Sequence, residues 1–220
     1  MRGKWKLFIA ICAMVIMTAV PVFAADAVGG WEVAETTYSF LSAGQRKIFE
    51  KGIDEDLEDD YEPVVVLAKQ VVNGTRYVFL CQDTDEEEWN IVTMVRATNK
   101  KVTFGTDNDL EIANIAYSDK PRSGNTAGGL MIRTIKNRPA ALENDVRNVF
   151  TKALTGYTTY SLRPIALLGT QLVAGTNYRF LCLGIGSGVK DLFIVDVYND
   201  LQGVSKVTSC KPLNLEAYVD

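Results

Sequence analysis

The sequence predicts an α+β protein made of two tandem copies of one unit, each a helix packed across a four- to five-stranded antiparallel sheet. Three observations carry this expectation. Over a long stretch the halves match without a gap at an offset of 101 residues. Within each copy the periodicity changes from helical to alternating. Between the copies lies "SDKPRSGNTA", Ser118 to Ala127, whose Pro, Gly, Ser and Asn content marks a turn-rich linker.

The repeat pairs Leu41 with Leu142, Arg46 with Arg147, Phe49 with Phe150, Pro63 with Pro164 and Leu67 with Leu168. It continues through Gln70 and Gln171, Val72 and Val173, Gly74 and Gly175, Tyr77 and Tyr178, Phe79 and Phe180, and Cys81 and Cys182. Upstream, Gly29-Gly30 answers Gly128-Gly129. The expected organisation is a signal peptide at 1–24, a first domain at 25–119, a linker at 120–127 and a second domain at 128–220.

Each copy should open with a short strand, "WEVAE" or "LMIRT". A helix follows. In the first copy Leu41, Ile48, Phe49, Ile53 and Leu57 fall on one helical face, and in the second Leu142, Val146, Val149, Phe150 and Leu154 do so. Ser42 with Gln45 suits a capping box, and Asn137 and Pro139 suit the start of the second helix. The acidic run from Asp54 to Asp60 lacks the glycine and terminal Glu of a calcium loop and reads as a solvated helix end. Period two then takes over. "PVVVLAKQ" and "PIALLGTQ" are strands, "TRYVFLC" and "TNYRFLC" return, and two further strands complete each meander. Tyr77, Phe79 and Cys81, like Tyr178, Phe180 and Cys182, share the face expected beneath the helix. Cys182 and Cys210 fall on strands separated by a third, about 9–10 Å apart, too far for a disulfide.

The N-terminus is of another kind. Arg2, Lys4 and Lys6 precede an apolar run from Leu7 to Val20, then Pro21 and Val22-Phe23-Ala24. That order is expected of a cleaved secretory signal, with an uncleaved membrane anchor as the alternative, so the protein should be secreted or periplasmic. Without these three cations the chain keeps 20 basic against 27 acidic residues, a net charge of −7. Such a balance disfavours nucleic acid. No later run is long enough to span a membrane. The chain has no histidine, which excludes a Ser-His-Asp triad, a Cys-His pair and His-ligated zinc. Neither an enzyme, a cofactor nor a metal is expected, and the protein should be a monomer.

"QVVNG", Gln70-Val71-Val72-Asn73-Gly74, and "QLVAG", Gln171-Leu172-Val173-Ala174-Gly175, both fit Q-x-V-x-G. This resembles the first inhibitory hairpin of the cystatins, and "QLVAGTNY" is similar to the stefin branch. The resemblance spans essentially all of the chain after the signal. It implies a tight, reversible inhibitor of papain-type cysteine peptidases. The family's wedge has three parts, which fall here on Gly29-Gly30 and Gly128-Gly129, on the two Q-x-V-x-G loops, and on a later turn. In that later turn many cystatins carry Pro-Trp and stefins Leu-Pro. Here "NDLQG" offers Leu201, and the first copy's "RATNKK" is polar and basic.

The residues argue the same way without the family. A preordered hairpin loses little entropy on entering a narrow cleft. Gly74 and Gly175 permit positive φ and close backbone approach. Val72, Leu172 and Val173 supply apolar contact, and Ala174 keeps the second tip slim. Two alternatives stand beside this. Asn73-Gly74 is also ordinary hairpin chemistry. A secreted or periplasmic, non-inhibitory protein-binding module reusing the cystatin fold would carry similar tips.

Overall fold

The computed structural model describes residues 32–33, 40–53, 57, 60–83, 88–118, 130–132, 142–186 and 189–219. The expected signal segment, the linker 120–127, the helix-start residues Asn137 and Pro139, and most of the acidic run after Ile53 lie outside the described residues.

In chain order the elements are β1 (Glu32–Val33), α1 (Ala43–Gly52), β2 (Tyr61–Val72), β3 (Gly74–Asp83), β4 (Trp89–Arg96), β5 (Val102–Asp109), β6 (Leu130–Ile132), α2 (Asn144–Ala153), β7 (Ser161–Val173), β8 (Gly175–Gly186), β9 (Val189–Asn199) and β10 (Ser205–Pro212). Ser42 caps α1 as its spacing with Gln45 requires. Gln45 N donates to Ser42 Oγ at 3.3 Å, and Ser42 N donates to Gln45 Oε1 at 2.8 Å. Helix α1 ends at Gly52, where an added Cβ would stand 2.5 Å from Met94 Sδ.

The strands form two five-stranded sheets, β5-β4-β3-β2-β6 and β1-β7-β8-β9-β10. The order is not that of two self-contained repeats, because the short entry strands are exchanged. β1, from the first half, pairs with β7 of the second, and β6, from the second half, pairs with β2 of the first. The long strands repeat closely. β2 slips register after Pro63 and after Val66, and β7 slips at the matching places, after Pro164 and after Leu167. Bulges bend a strand and increase its twist, so both copies bend alike.

Each sheet is buried on both faces. On its outer face the first sheet carries Val66, Tyr77, Phe79, Cys81, Val92 and Met94 against Phe49 of α1. The second sheet carries Phe180, Cys182, Phe193, Val195 and Val197 against Phe150 of α2. Phe49 meets Phe79 edge-on at 5.2 Å and Phe150 meets Phe180 at 4.8 Å. The inner faces form a larger core common to both halves, in which Val65, Leu67, Val78, Leu80, Trp89 and Ile91 join Ile165, Leu168, Leu181, Leu183, Leu192 and Ile194. β2 accordingly buries six residues in succession, Pro63 to Ala68, where a strand with one wet face would alternate.

These facts correct the expected fold class. The molecule is not an α+β pair of tandem units, each organised by a helix across its own sheet. It is strand-dominated, with two antiparallel sheets arranged in sequence and sharing a core. The helices are ten residues each and bury only two residues apiece, Phe49 and Gly52 in α1, Phe150 and Ala153 in α2. Ser42 and Gln45 form the expected capping box, and Ile48 and Phe49 share the inward face of α1, but the helix ends at Gly52, so Ile53 and Leu57 lie beyond it. The inner faces of the strands, not the helices, bury the greater share.

Polar bonds stitch the shared core. Trp89, 1% exposed, donates its indole N–H to Leu168 O at 2.9 Å. The tails after β5 and β10 cross, with Tyr117 bridging Leu213, Ser118 N donating to Pro212 O at 2.9 Å and Asn214 N donating to Ala116 O at 3.0 Å. Arg179 donates to both carboxylate oxygens of Asp196, at 2.7 and 2.9 Å, and also to Ile112 O of the other half. Cys182 on β8 and Cys210 on β10 are separated by β9, and Cys81, Cys182 and Cys210 are all unpaired.

Trp89→Ala should therefore lower stability by about 3–5 kcal/mol, the usual cost of truncating a buried Trp. Urea unfolding followed by circular dichroism should show one transition shifted as a whole.

Candidate functional site

Each Q-x-V-x-G segment closes a hairpin of the same geometry. Val72 pairs with Gly74 and Val173 with Gly175, leaving Asn73 and Ala174 alone at the tips. Both glycines have φ of +123°. Asn73 is not in the left-handed region. A type I′ Asn-Gly turn needs positive φ at both central residues, so the first tip is not that turn. This explains why Asn and Ala serve equally: the conformational demand falls on the glycine that follows.

The glycines are also demanded by space. A Cβ on Gly74 would lie 2.2 Å from Arg96 O, and one on Gly175 2.5 Å from Asn199 O. Each hairpin tip is thus pressed against the end of the next strand, where the chain turns into β5 or β10. Tyr198 reinforces the second contact by donating its hydroxyl proton to Ala174 O. The glutamines brace the bases of the hairpins. Gln70 Oε1 accepts from Arg76 at 3.0 Å, and Gln171 Oε1 accepts from Asn177 at 2.7 Å.

The adjoining turn of the second half runs from Asp200 to Val204. Asp200 Oδ1 accepts from Gln202 N at 2.9 Å and from Val204 N at 2.8 Å, while Gly203 takes φ of +78°. This clamp presents Leu201, 76% exposed, and Val204, 62% exposed, beside Leu172, 62% exposed, and Val173. In the first half Val71, 59% exposed, and Val72 stand out in the same way. Large apolar side chains held in water on braced turns make these tips a candidate contact surface. Val204 was not singled out from the sequence. Its signal was weak: one apolar residue following a turn glycine.

The entry strands arrive at the same ends. Glu32 pairs with Thr170, next to Gln171, and Leu130 pairs with Gln70. Gly29, Gly30, Gly128 and Gly129 lie outside the described residues. The strands that follow them in the chain cross over, however. The strand after Gly29-Gly30 lies beside the hairpin of Gln171 to Gly175, and the strand after Gly128-Gly129 lies beside that of Gln70 to Gly74. Each end of the molecule therefore aligns an entry strand, a Q-x-V-x-G tip and a following turn, with contributions from both halves.

Among the described residues a shallow polar depression of about 330 Å³ lies where the tails meet, lined by Asn108, Asp109, Glu111, Asn114, Ala217 and Tyr218. Burial pushes the thiols of Cys81 and Cys182 well above their ordinary range and raises that of Cys210, so none is a ready thiolate. Among the described residues no helix is long and apolar enough to cross a membrane. No protein-family model matches the chain, and no curated protein matches it either.

Gly74→Val and Gly175→Val should each cost at least about 1–3 kcal/mol, from strain at positive φ and the clash with the facing carbonyl. Asn73→Ala and Ala174→Ser should stay within about 0.5 kcal/mol. Thermal denaturation of the four variants measures the contrast.

Proposed function

We propose that the protein blocks the active-site cleft of papain-type cysteine peptidases, acting outside the cytoplasm in a secreted or periplasmic setting. One observation carries the reading. At the second-half end, Leu172, Val173, Leu201 and Val204 stand exposed on two adjoining turns whose backbones are fixed by hydrogen bonds and by the close approach of Gly175. A narrow, apolar-lined cleft accepts such an edge. The side chains lose contact with water, and little conformational freedom remains to be lost. A tip with no extended chain running through the cleft does not present a peptide bond to the nucleophile in attacking geometry. It plugs the groove without being consumed. The Q-x-V-x-G likeness to cystatins supports the same reading, which rests on the wedge and not on the fold class.

Binding without inhibition is the second reading. The polar first-half turn, Ala97 to Lys101, favours it, because it offers no apolar side chain comparable to Leu201.

Titration of papain with the purified chain tests the proposal. Inhibition should be stoichiometric and reversible, without cleavage of the chain. Leu172→Ala should weaken it at least about tenfold, since full burial of a leucine is worth roughly 1.5–3 kcal/mol. Papain undiminished by micromolar protein overturns the reading.

A further inference from the structure

We infer that the two hairpin ends serve different partners, and that the first-half end fits a peptidase cleft rimmed with carboxylates; this rests on the cleft-blocking reading above. The second-half end carries no charge from Gln171 to Asn177. Its turn has Asp200, whose Oδ1 is already engaged by two backbone N–H groups, and the strand after it brings a single cation, Lys206, over the Tyr198 ring at 5.8 Å. The first-half end couples exposed Val71 and Val72 to a cationic turn. Arg96 lies at the close of β4, pressed against Gly74, and Lys100 and Lys101 are exposed three to four residues after Ala97. No acidic residue occurs from Lys69 to Tyr77 or from Arg96 to Phe104.

The backbone that carries these cations is held in place. Ala97 N donates to Lys101 O and Lys100 N to Ala97 O, each at 2.9 Å, and Lys101 N donates to Asn99 Oδ1 at 3.0 Å. Lys100 adopts φ of +69°, a left-handed conformation that glycine takes more easily, and the corresponding turn of the second half uses Gly203 at +78°. A lysine thus stands where its backbone is least at ease, beside the hairpin tip. The whole chain is acidic, with a net charge of −4. A cationic end on an acidic body orients the molecule in the field of a negative cleft and repels the rest of it from that cleft. Two apolar residues supply the plug, and the surrounding cations select the rim.

The test compares the full chain with Lys100→Glu/Lys101→Glu and with Lys100→Gln/Lys101→Gln. Association is measured by surface plasmon resonance on two papain-type peptidases chosen from their structures, one with acidic residues around the cleft and one with a neutral rim. Rim charges act mainly on association rate. The Glu variant should slow association with the acid-rimmed peptidase at least about tenfold more than with the neutral one, with the Gln variant between. The difference should shrink as salt shortens the screening length from about 10 Å to 3 Å. If both peptidases bind and the variants slow them equally, the inference fails while cleft blocking stands. If neither peptidase binds the unaltered chain, both fail.

Discussion

The inner faces of the two sheets bury one another, and the placement of every other element depends on that burial. Trp89 shows the constraint in a single residue. Its ring is enclosed in the common core, and its one polar hydrogen is satisfied by Leu168 O of the other half. Neither sheet could present that inner surface to water. The exchanged strands β1 and β6 and the crossed tails around Tyr117 and Leu213 close the same joint from its margins. The helices cover what remains on the outside.

A rigid centre is what allows the hairpin ends to be useful. Strands β2 and β7 are anchored by a buried middle and leave the core over their last four residues, and β3 and β8 return into it after their first few. There the apolar side chains continue with no protein to cover them. The tips are held from the side by β4 and β9, through the contacts of Gly74 with Arg96 O and of Gly175 with Asn199 O. Because β1 and β6 are exchanged, each end is built from both halves. The two ends then differ by chemistry rather than by shape, one with Leu201 and Val204, the other with Lys100 and Lys101.

Much of this was legible in the residues. The repeat, the hairpins, the capping box at Ser42, and the outer clusters around Phe49 and Phe150 all followed from spacing. The fold class did not, and the reason is visible in one strand. "YVFLC" is apolar on both faces. Tyr77, Phe79 and Cys81 line the face beneath the helix, as expected, but Val78 and Leu80 point the other way and are fully buried. A strand apolar on both faces needs two covering layers. Periodicity reports that need without naming the partner, which here is the other half of the chain. The strand exchange was illegible for a related reason. The entry strands pair over only two and three residues, and either repeat's sheet edge satisfies their backbone equally. At the site, the glycines were recognised for their freedom of φ. Their contact with the neighbouring strand, which ties tip to turn, depends on a register that sequence does not display.

Amide hydrogen exchange through a series of sub-denaturing urea concentrations tests the shared core most directly. The most protected amides of β3 and β4 and those of β8 and β9 should converge on one opening free energy with one urea dependence, because neither sheet persists without the other. Two separate limits, one for each half of the chain, would contradict the account.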